Sequence, residues 1–401
     1  MTLPDRLARL LLLHAALLPF SIVLGQPLAY LGAVGFLVVL AMGKVERLPL
    51  RTFGWWIALF MACAVVASAQ GWDPARSFRK MDRLLLLAIL PALAVLFRPG
   101  SVTASPSIGL FANAFVLGTS LLAAKDFIRI PMELNLGVDL FHTGNMRDPQ
   151  FYMVSLALII GAIAVGRWSL RHPVTATALI FNALGLLLHF KRGAWISFAV
   201  AALVMAVLLR QRKVALAVLV AVAAVVTLGP VRERWSMIQE EFTEDLGGRY
   251  LLWTEVAPRL LAEHPLGVGW KAVSHERLLE VSEQVQSGLN HLHNNILQIA
   301  LETGWLGAVA WTGWMVHVLI LGLATYRRLP ETRREERAVL VGALGGFIAL
   351  MVNGMVEFNF GDSEIFMTLN LLMGIILCIS RGLGKELGAS PFPVDPAHRV
   401  A

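Results

Sequence analysis

The chain has 401 residues, of which 57% are hydrophobic and only 15% are charged, and its formal net charge is +7. A soluble fold could not bury so many apolar residues, so the composition excludes a soluble enzyme and predicts a polytopic membrane protein. The basic residues are scattered over short segments between apolar runs, which indicates membrane topology and argues against nucleic acid as a partner.

Long apolar runs recur along the chain, and about 20 residues are needed for each membrane crossing. They predict an all-α polytopic membrane protein with about twelve transmembrane helices. The predicted spans lie near residues 7–24, 28–43, 54–69, 84–98, 105–123, 151–166, 174–190, 194–209, 214–229, 296–324, 338–356 and 363–380. The first run follows Arg6 and Arg9 but lacks a small-x-small cleavage site, so we expect an uncleaved first helix.

Lys and Arg residues concentrate on the side of the membrane that holds both chain termini, most densely at residues 326–337. The positive-inside rule therefore predicts a multi-pass membrane protein with both termini in the cytoplasm. With bacterial-style topology, which places such a protein in the inner membrane, the opposite side is the periplasm. The long segments 70–83, 124–150 and 230–295 then lie in the periplasm. Residues 381–401 are predicted to be a flexible cytoplasmic tail.

The largest periplasmic segment, residues 230–295, is inserted between spans nine and ten of a single membrane domain formed by all 401 residues. Two helical stretches are predicted in it, at 249–263 and 272–286, and a Pro-Leu-Gly-Val-Gly turn at 265–269. The segment is large enough to cap a cavity and too small to be an independent domain.

The tenth span is too long for one crossing, because a continuous helix over 296–324 would extend about 43 Å against a hydrocarbon core of about 30 Å. Polar residues recur with helical spacing at its start, which predicts one helix face exposed to water: His291, Asn294, Asn295, Gln298 and Glu302. We therefore expect its first turns to stand outside the membrane and the helix to break near Gly304 and Gly307.

Basic residues in the predicted periplasmic segments are candidates for binding a diphosphate. Lys191 and Arg192 lie in a very short turn between two spans, where snorkelling is the ordinary explanation but the positive-inside rule disfavours such a pair. A guanidinium fork at Arg192 suits a diphosphate. Arg249 follows two glycines and is otherwise explained by a surface ion pair, and Arg147 has Asp148 as a structural partner.

Among the histidines of the large segment, His293 is the main candidate for a catalytic base because it begins the amphipathic helix. A neutral imidazole, with an ordinary pKa of about 6.5, can remove a proton from an attacking hydroxyl. The His291-x-His293 pattern is a weak metal signature, so we predict no metal. No pattern for ATP or a nucleotide sugar stands out. Three acidic residues of the last short periplasmic turn could orient the base or bind acceptor hydroxyls, but a solvated loop is the more ordinary explanation, so we expect them to be solvated: Glu357, Asp362 and Glu364.

A family resemblance follows from these residues. His293-Asn294, separated by nine residues from Gly304-Trp-Leu-Gly307, resembles the signature of bacterial O-antigen ligases in the ligase/polymerase superfamily. The Arg-Gly-Ala-Trp turn at 192–195, Arg249 with Trp253 four residues later, and the 265–269 turn are similar to its other landmarks.

The resemblance implies a GT-C-like membrane glycosyltransferase that needs neither a metal, ATP nor another cofactor. Such an enzyme moves O-antigen from undecaprenyl diphosphate to lipid A–core oligosaccharide at the periplasmic leaflet. His293 matches the essential histidine, and Arg192 and Arg249 match the essential arginines. We assign supporting roles to Asn294, His291 and Trp253, and we expect inversion at the anomeric carbon.

Alternatives remain within and outside the superfamily. An O-antigen polymerase shares the donor, but its paired Arg-x15-Gly pattern occurs here at most once, from Arg232 to Gly248. Protein O-oligosaccharyltransferases share the histidine-containing loop and often carry a larger C-terminal region. A transporter of lipid-linked sugars would perform no chemistry, and no inverted repeat indicates one.

Overall fold

The computed structural model describes residues 2–46, 54–99, 106–142, 145–236 and 248–386, and these residues are mostly helical. The main helices, in chain order, are α1 Leu3–Leu17, α2 Ile22–Ala41, α3 Gly54–Gln70, α4 Pro74–Lys80, α5 Ile89–Leu96, α6 Ile108–Asn135, α7 Asp148–Ala164, α8 Pro173–Leu188, α9 Arg192–Leu208, α10 Arg212–Val226, α11 Gly229–Ser236, α12 Ala257–Glu263, α13 His275–Leu279, α14 Asn295–Arg328, α15 Arg334–Asn353 and α16 Ser363–Glu386. Shorter helical segments are Met81–Ala88, Leu140–His142, Arg249–Leu251, Leu252–Val256 and Asn359–Gly361. The prediction of an all-α protein is confirmed.

Each of the twelve apolar segments predicted from the sequence is helical over most of its length within the described residues. Four helices, α2, α6, α14 and α16, are long and apolar enough to cross a membrane, or five spans exist if the bent pair α10 and α11 forms one. Helices α3, α7, α8 and α9 are apolar but shorter. The structure thus supports a helical membrane protein, while twelve crossings stay a prediction.

Helices α7, α15 and α16 form the centre of the bundle, where nearly every side chain is buried. Small residues let α7 and α15 approach closely. A Cβ atom added at Gly161 would lie 2.8 Å from the Ala338 carbonyl oxygen and 3.0 Å from the Gly342 nitrogen. Close backbone approach at glycine and alanine is typical of helix packing in membranes, where apolar surface alone gives no drive to associate.

Helix α14 breaks at Gly304, whose φ of 77° and ψ of 171° lie in a region that only glycine adopts without strain. The turn at 265–269 fills the break. The carbonyl oxygens of Leu301 and Glu302 accept backbone hydrogen bonds from this turn at 2.8 and 3.2 Å, and the Trp305 N–H donates back to it at 3.3 Å. The predicted break is confirmed, and it attaches the large segment to α14.

The large segment follows one of its two predicted helical stretches. Residues 249–263 are helical throughout, with a π-helical stretch at Leu252–Val256, as predicted. The prediction for 272–286 is wrong, because only His275–Leu279 is α-helical. The His275 ring is hydrogen-bonded through Nδ1 to the Leu289 carbonyl oxygen at 2.8 Å, so a returning chain segment overrides the local helix propensity.

The predicted start of the tail at residue 381 is also wrong, because α16 continues to Glu386. Arg381 and Lys385 both pair with Glu46, and the Lys385 Nζ atom lies 2.6 Å from Glu46 Oε2. Basic residues in the last turns of a helix also interact favourably with its dipole. The rest of the predicted tail lies outside the described residues.

Candidate active site

The residues that follow His293 are joined to the connection between α15 and α16 by several hydrogen bonds. The Asn295 N–H donates to the Gly354 carbonyl at 2.7 Å, and Asn294 Nδ2 donates to the Met355 carbonyl at 2.9 Å. Asn295 Nδ2 donates to Asn359 Oδ1 at 2.7 Å. Asn294 Oδ1 also caps α14 by accepting a backbone N–H of its first turn. Two chain segments about 60 residues apart are thereby held side by side.

This pairing places Glu357 beside both histidines. Glu357 Oε1 lies 3.1 Å from His293 Nδ1 and 3.8 Å from His291 Nε2, and its Oε2 lies 3.8 Å from Arg249 Nη2. The two imidazole rings are 4.0 Å apart between centroids. His293 has a φ of 49°, in the left-handed region, and such strained positions are concentrated at functional sites.

The electrostatics of this cluster favour an ionised Glu357 next to a neutral His291. Burial and, to a smaller extent, the neighbouring His293 lower the pKa of His291 to about 3, so His291 is neutral at pH 7. Burial alone would raise the pKa of Glu357, but His293, His291 and Arg249 hold it at about 2. A carboxylate facing His293 Nδ1 favours the tautomer that carries its proton there, which leaves Nε2 free to accept one.

Arg192 begins α9 close to the same cluster. Its side chain is buried, and its Nη1 donates to the Arg234 carbonyl at 2.7 Å. A Cβ atom added at the next residue, Gly193, would lie 3.1 Å from a methyl group of Val356, the neighbour of Glu357 in the chain. The start of α9, Arg249 and His293 therefore all lie next to the connection between α15 and α16.

The other sequence candidates have structural partners. Lys191 Nζ donates to the Phe141 carbonyl at 3.1 Å, and Trp253 Nε1 donates to the Leu292 carbonyl at 2.7 Å, next to His293. Arg147 pairs with Glu364. The expectation that the acidic turn is solvated is wrong for Glu357 and Glu364, whose side chains are only 14% and 7% exposed because basic groups cover them.

A polar cavity of about 680 Å³ lies between the large segment and the ends of the helices. Its volume is in the range of small-molecule sites. His291 lines it, together with cations that sequence reasoning missed: Arg76, Lys80, Arg83 and Lys271. The four predicted diphosphate ligands do not line it.

Two of the cavity cations converge on one carbonyl. Arg83 Nη1 and Lys271 Nζ donate to the Gly361 carbonyl oxygen at 3.0 and 2.5 Å. Burial lowers the pKa of Lys271 to about 8, so its ammonium group is still mostly charged at neutral pH. The cavity therefore carries four cations against three carboxyl groups, Glu276, Glu302 and Asp362, and His291 also lines it.

Two groups of side chains could hold a metal ion among the described residues. The ligand atoms of His291, His293 and Glu357 lie within 4.8 Å of one another, and so do those of a second, buried group: Asp126, Asp148 and His189. Each group also faces a guanidinium. Arg249 lies 3.8 Å from Glu357, and Arg129 lies 2.8 and 2.9 Å from the two aspartates. A cation in either group would be repelled by the arginine already present.

The family of O-antigen ligases (Wzy_C) matches residues 177–312 of the chain. The matched part runs from α8 to the first half of α14 and contains Arg192, Arg249, His291 and His293, whereas Glu357 lies outside it. The curated proteins give no match to the chain. Residues 177–312 are therefore similar to the O-antigen ligase family, which supports the ligase/polymerase superfamily.

Proposed function

We propose that this chain, which is similar to the O-antigen ligase family over residues 177–312, moves O-antigen polysaccharide from undecaprenyl diphosphate onto lipid A–core oligosaccharide. The reaction would take place at the periplasmic leaflet of the bacterial inner membrane, with both termini in the cytoplasm. The observation that carries the proposal is the cationic cavity next to His293 and its ionised Glu357 partner.

In the proposed reaction, His293 Nε2 accepts the proton of an acceptor hydroxyl while the hydroxyl oxygen attacks the anomeric carbon of the donor sugar. The bond between that carbon and the phosphate oxygen breaks, and undecaprenyl diphosphate leaves with the bonding electrons. Glu357 stabilises the imidazolium that forms, and Arg249 lies close enough to its other oxygen to keep the carboxylate ionised. Direct displacement inverts the configuration at the anomeric carbon.

The position of the cations supports a revised site for the diphosphate. Lys80, Arg83 and Lys271 share one cavity, and a diphosphate bound there would be stabilised by charge-assisted hydrogen bonds as it leaves. Arg192 and Arg249 stay proposed ligands near the reacting carbon. The cavity cations can offset the charge of the leaving diphosphate, so the proposed reaction includes no metal ion, and no step of it uses ATP.

Reconstitution tests this function. The full chain in nanodiscs is supplied with lipid-linked polysaccharide and rough lipopolysaccharide, and the product is scored as a gel shift of the acceptor. We expect transfer by the wild type and none by His293→Ala. A matched control is His264→Ala, a histidine of the same segment that contacts the Trp72 ring. Longer donor polymers formed without acceptor would identify a polymerase, and the absence of any covalent product would favour a transporter.

A further inference from the structure

Glu302 is a cavity residue that the proposed reaction does not use. It lies on α14 two residues before the break, lines the cavity, and has only 1% of its surface exposed. Its Oε1 accepts a hydrogen bond from Gln298 Nε2 at 2.8 Å. Its Oε2 is buried and has no hydrogen-bond partner among the described residues, although the Lys271 backbone approaches the carboxyl group.

The surrounding structure holds this carboxylate in one orientation. Gln298 is itself fixed, because its Oε1 accepts the Leu292 N–H at 2.8 Å. The break at Gly304 prevents the backbone of α14 from shifting, since the 265–269 turn is bonded to the Glu302 carbonyl. Glu302 Oε2 is therefore a rigid, preorganised acceptor.

A buried carboxyl oxygen is energetically costly unless the protein, a ligand or water completes its hydrogen bonding. Burial raises the pKa of Glu302, and the nearby Lys271 and Gln298 only partly offset this effect. Lys271 and Arg83 disfavour a metal ion at this position. Besides the Lys271 backbone, a hydrogen-bond donor brought by a ligand would complete Oε2.

We infer that Glu302 is a sugar subsite: its Oε2 accepts a hydrogen bond from a hydroxyl or amide N–H of the sugar joined directly to the diphosphate. The inference rests on the proposed function and identifies which part of the donor the cavity recognises beyond its phosphates. A glycosyl diphosphate is the class of ligand that brings anionic oxygens for Lys80, Arg83 and Lys271 and neutral donors for Glu302 into one cavity.

Two ligands that differ only in the sugar test the inference. Polyprenyl diphosphate and the same lipid carrying one N-acetylhexosamine are compared by displacement of a fluorescent polyprenyl diphosphate from the full chain in nanodiscs. We expect the wild type to bind the sugar-bearing lipid more tightly. Glu302→Gln should weaken binding of that lipid tenfold or more and leave binding of the sugar-free lipid within twofold.

The control is Glu280→Gln, which removes a charge from an exposed residue of the same segment that does not line the cavity. It should leave both affinities unchanged. Equal changes for both lipids in Glu302→Gln would overturn the sugar subsite, because they would show an effect on cavity charge or on folding. Unchanged affinities would overturn it as well. Failure of the wild type to bind either lipid would instead refute the proposed function, and the subsite with it.

Discussion

Replacing Glu357 with glutamine tests whether this carboxylate acts on the base. Two unit charges 3.1 Å apart attract by about 5 kcal/mol at an effective dielectric constant of about 20. This attraction exists only once His293 has taken up the proton, so its loss raises the barrier and leaves substrate binding unaffected. The dipole of the glutamine carbonyl can still stabilise the imidazolium in part, so we expect about 3 kcal/mol of the attraction to be lost, a fall in kcat of roughly 100-fold.

The assay is single-turnover transfer by the full chain in nanodiscs, with the KM of the donor and the melting temperature measured on the same samples. We expect the KM to change less than twofold, because the cavity cations are untouched. Glu280→Gln is the control. Glu280 is exposed, and its Oε2 pairs with Arg277 Nη1 at 2.8 Å without contacting the histidine cluster. A kcat within twofold of the wild type would refute the role of Glu357. A loss of activity that follows a lower melting temperature would show a purely structural role.

Four further predictions concern the cavity, the break and the cofactor requirement. Because the pKa of Lys271 is about 8, its ammonium loses charge as pH rises through that value, so the donor KM should rise several-fold between about pH 7 and pH 9. Lys271→Arg keeps the charge and should remove this rise, and an unchanged profile would contradict it. Gly304→Ala should lower the melting temperature through a cost of about 1–3 kcal/mol for the backbone conformation plus overlap, because a Cβ there lies 2.8 Å from the 265–269 turn. Gly288→Ala, at a φ of 86° in open space, should cost only the backbone part, and equal shifts would refute the overlap. Arg192→Lys should reduce turnover at least about tenfold if the planar guanidinium is needed, whereas normal turnover would indicate simple snorkelling. Exhaustive chelation should leave transfer unchanged, and activity restored only by added zinc would indicate a metal at the histidine pair.

Much of the fold is predictable because its causes are local. Apolar runs identify the helices, and the excess length of the tenth span together with Glu302 indicates the break at Gly304. The incorrect helix at 272–286 has a non-local cause, since the contact between His275 and Leu289 depends on how the chain returns. The helix extension past residue 381 has a similar origin in the pairing of Lys385 with Glu46, over 300 residues away.

The candidate site was predictable in part. The positive-inside argument singled out Lys191 and Arg192, and it applies equally to Arg76, Lys80 and Arg83, which lie in the predicted periplasmic segment 70–83. That signal was present in the sequence and was not used.

Lys271 carried no comparable signal, and the sequence indicated Glu357 only as one of three acidic residues in a turn that could orient the base. The burial of Glu357 depends on the pairing of Asn294 and Asn295 with the connection between α15 and α16. Lys271 becomes a cavity residue only when the large segment docks on the bundle. Neither contact produces a periodic residue pattern that can be recognised in a single sequence.

The break in α14 also constrains how the protein assembles. The Leu301 carbonyl oxygen accepts a hydrogen bond from the 265–269 turn and not from the Trp305 N–H, its partner in a regular helix. The Trp305 N–H donates to a carbonyl oxygen of the same turn. Buried backbone groups left unpaired are costly, so the broken form of α14 is stable only with the turn in place. The large segment and the break in α14 therefore stabilise each other, and a chimera that borrows this segment from a relative would have to import the first half of α14 along with it.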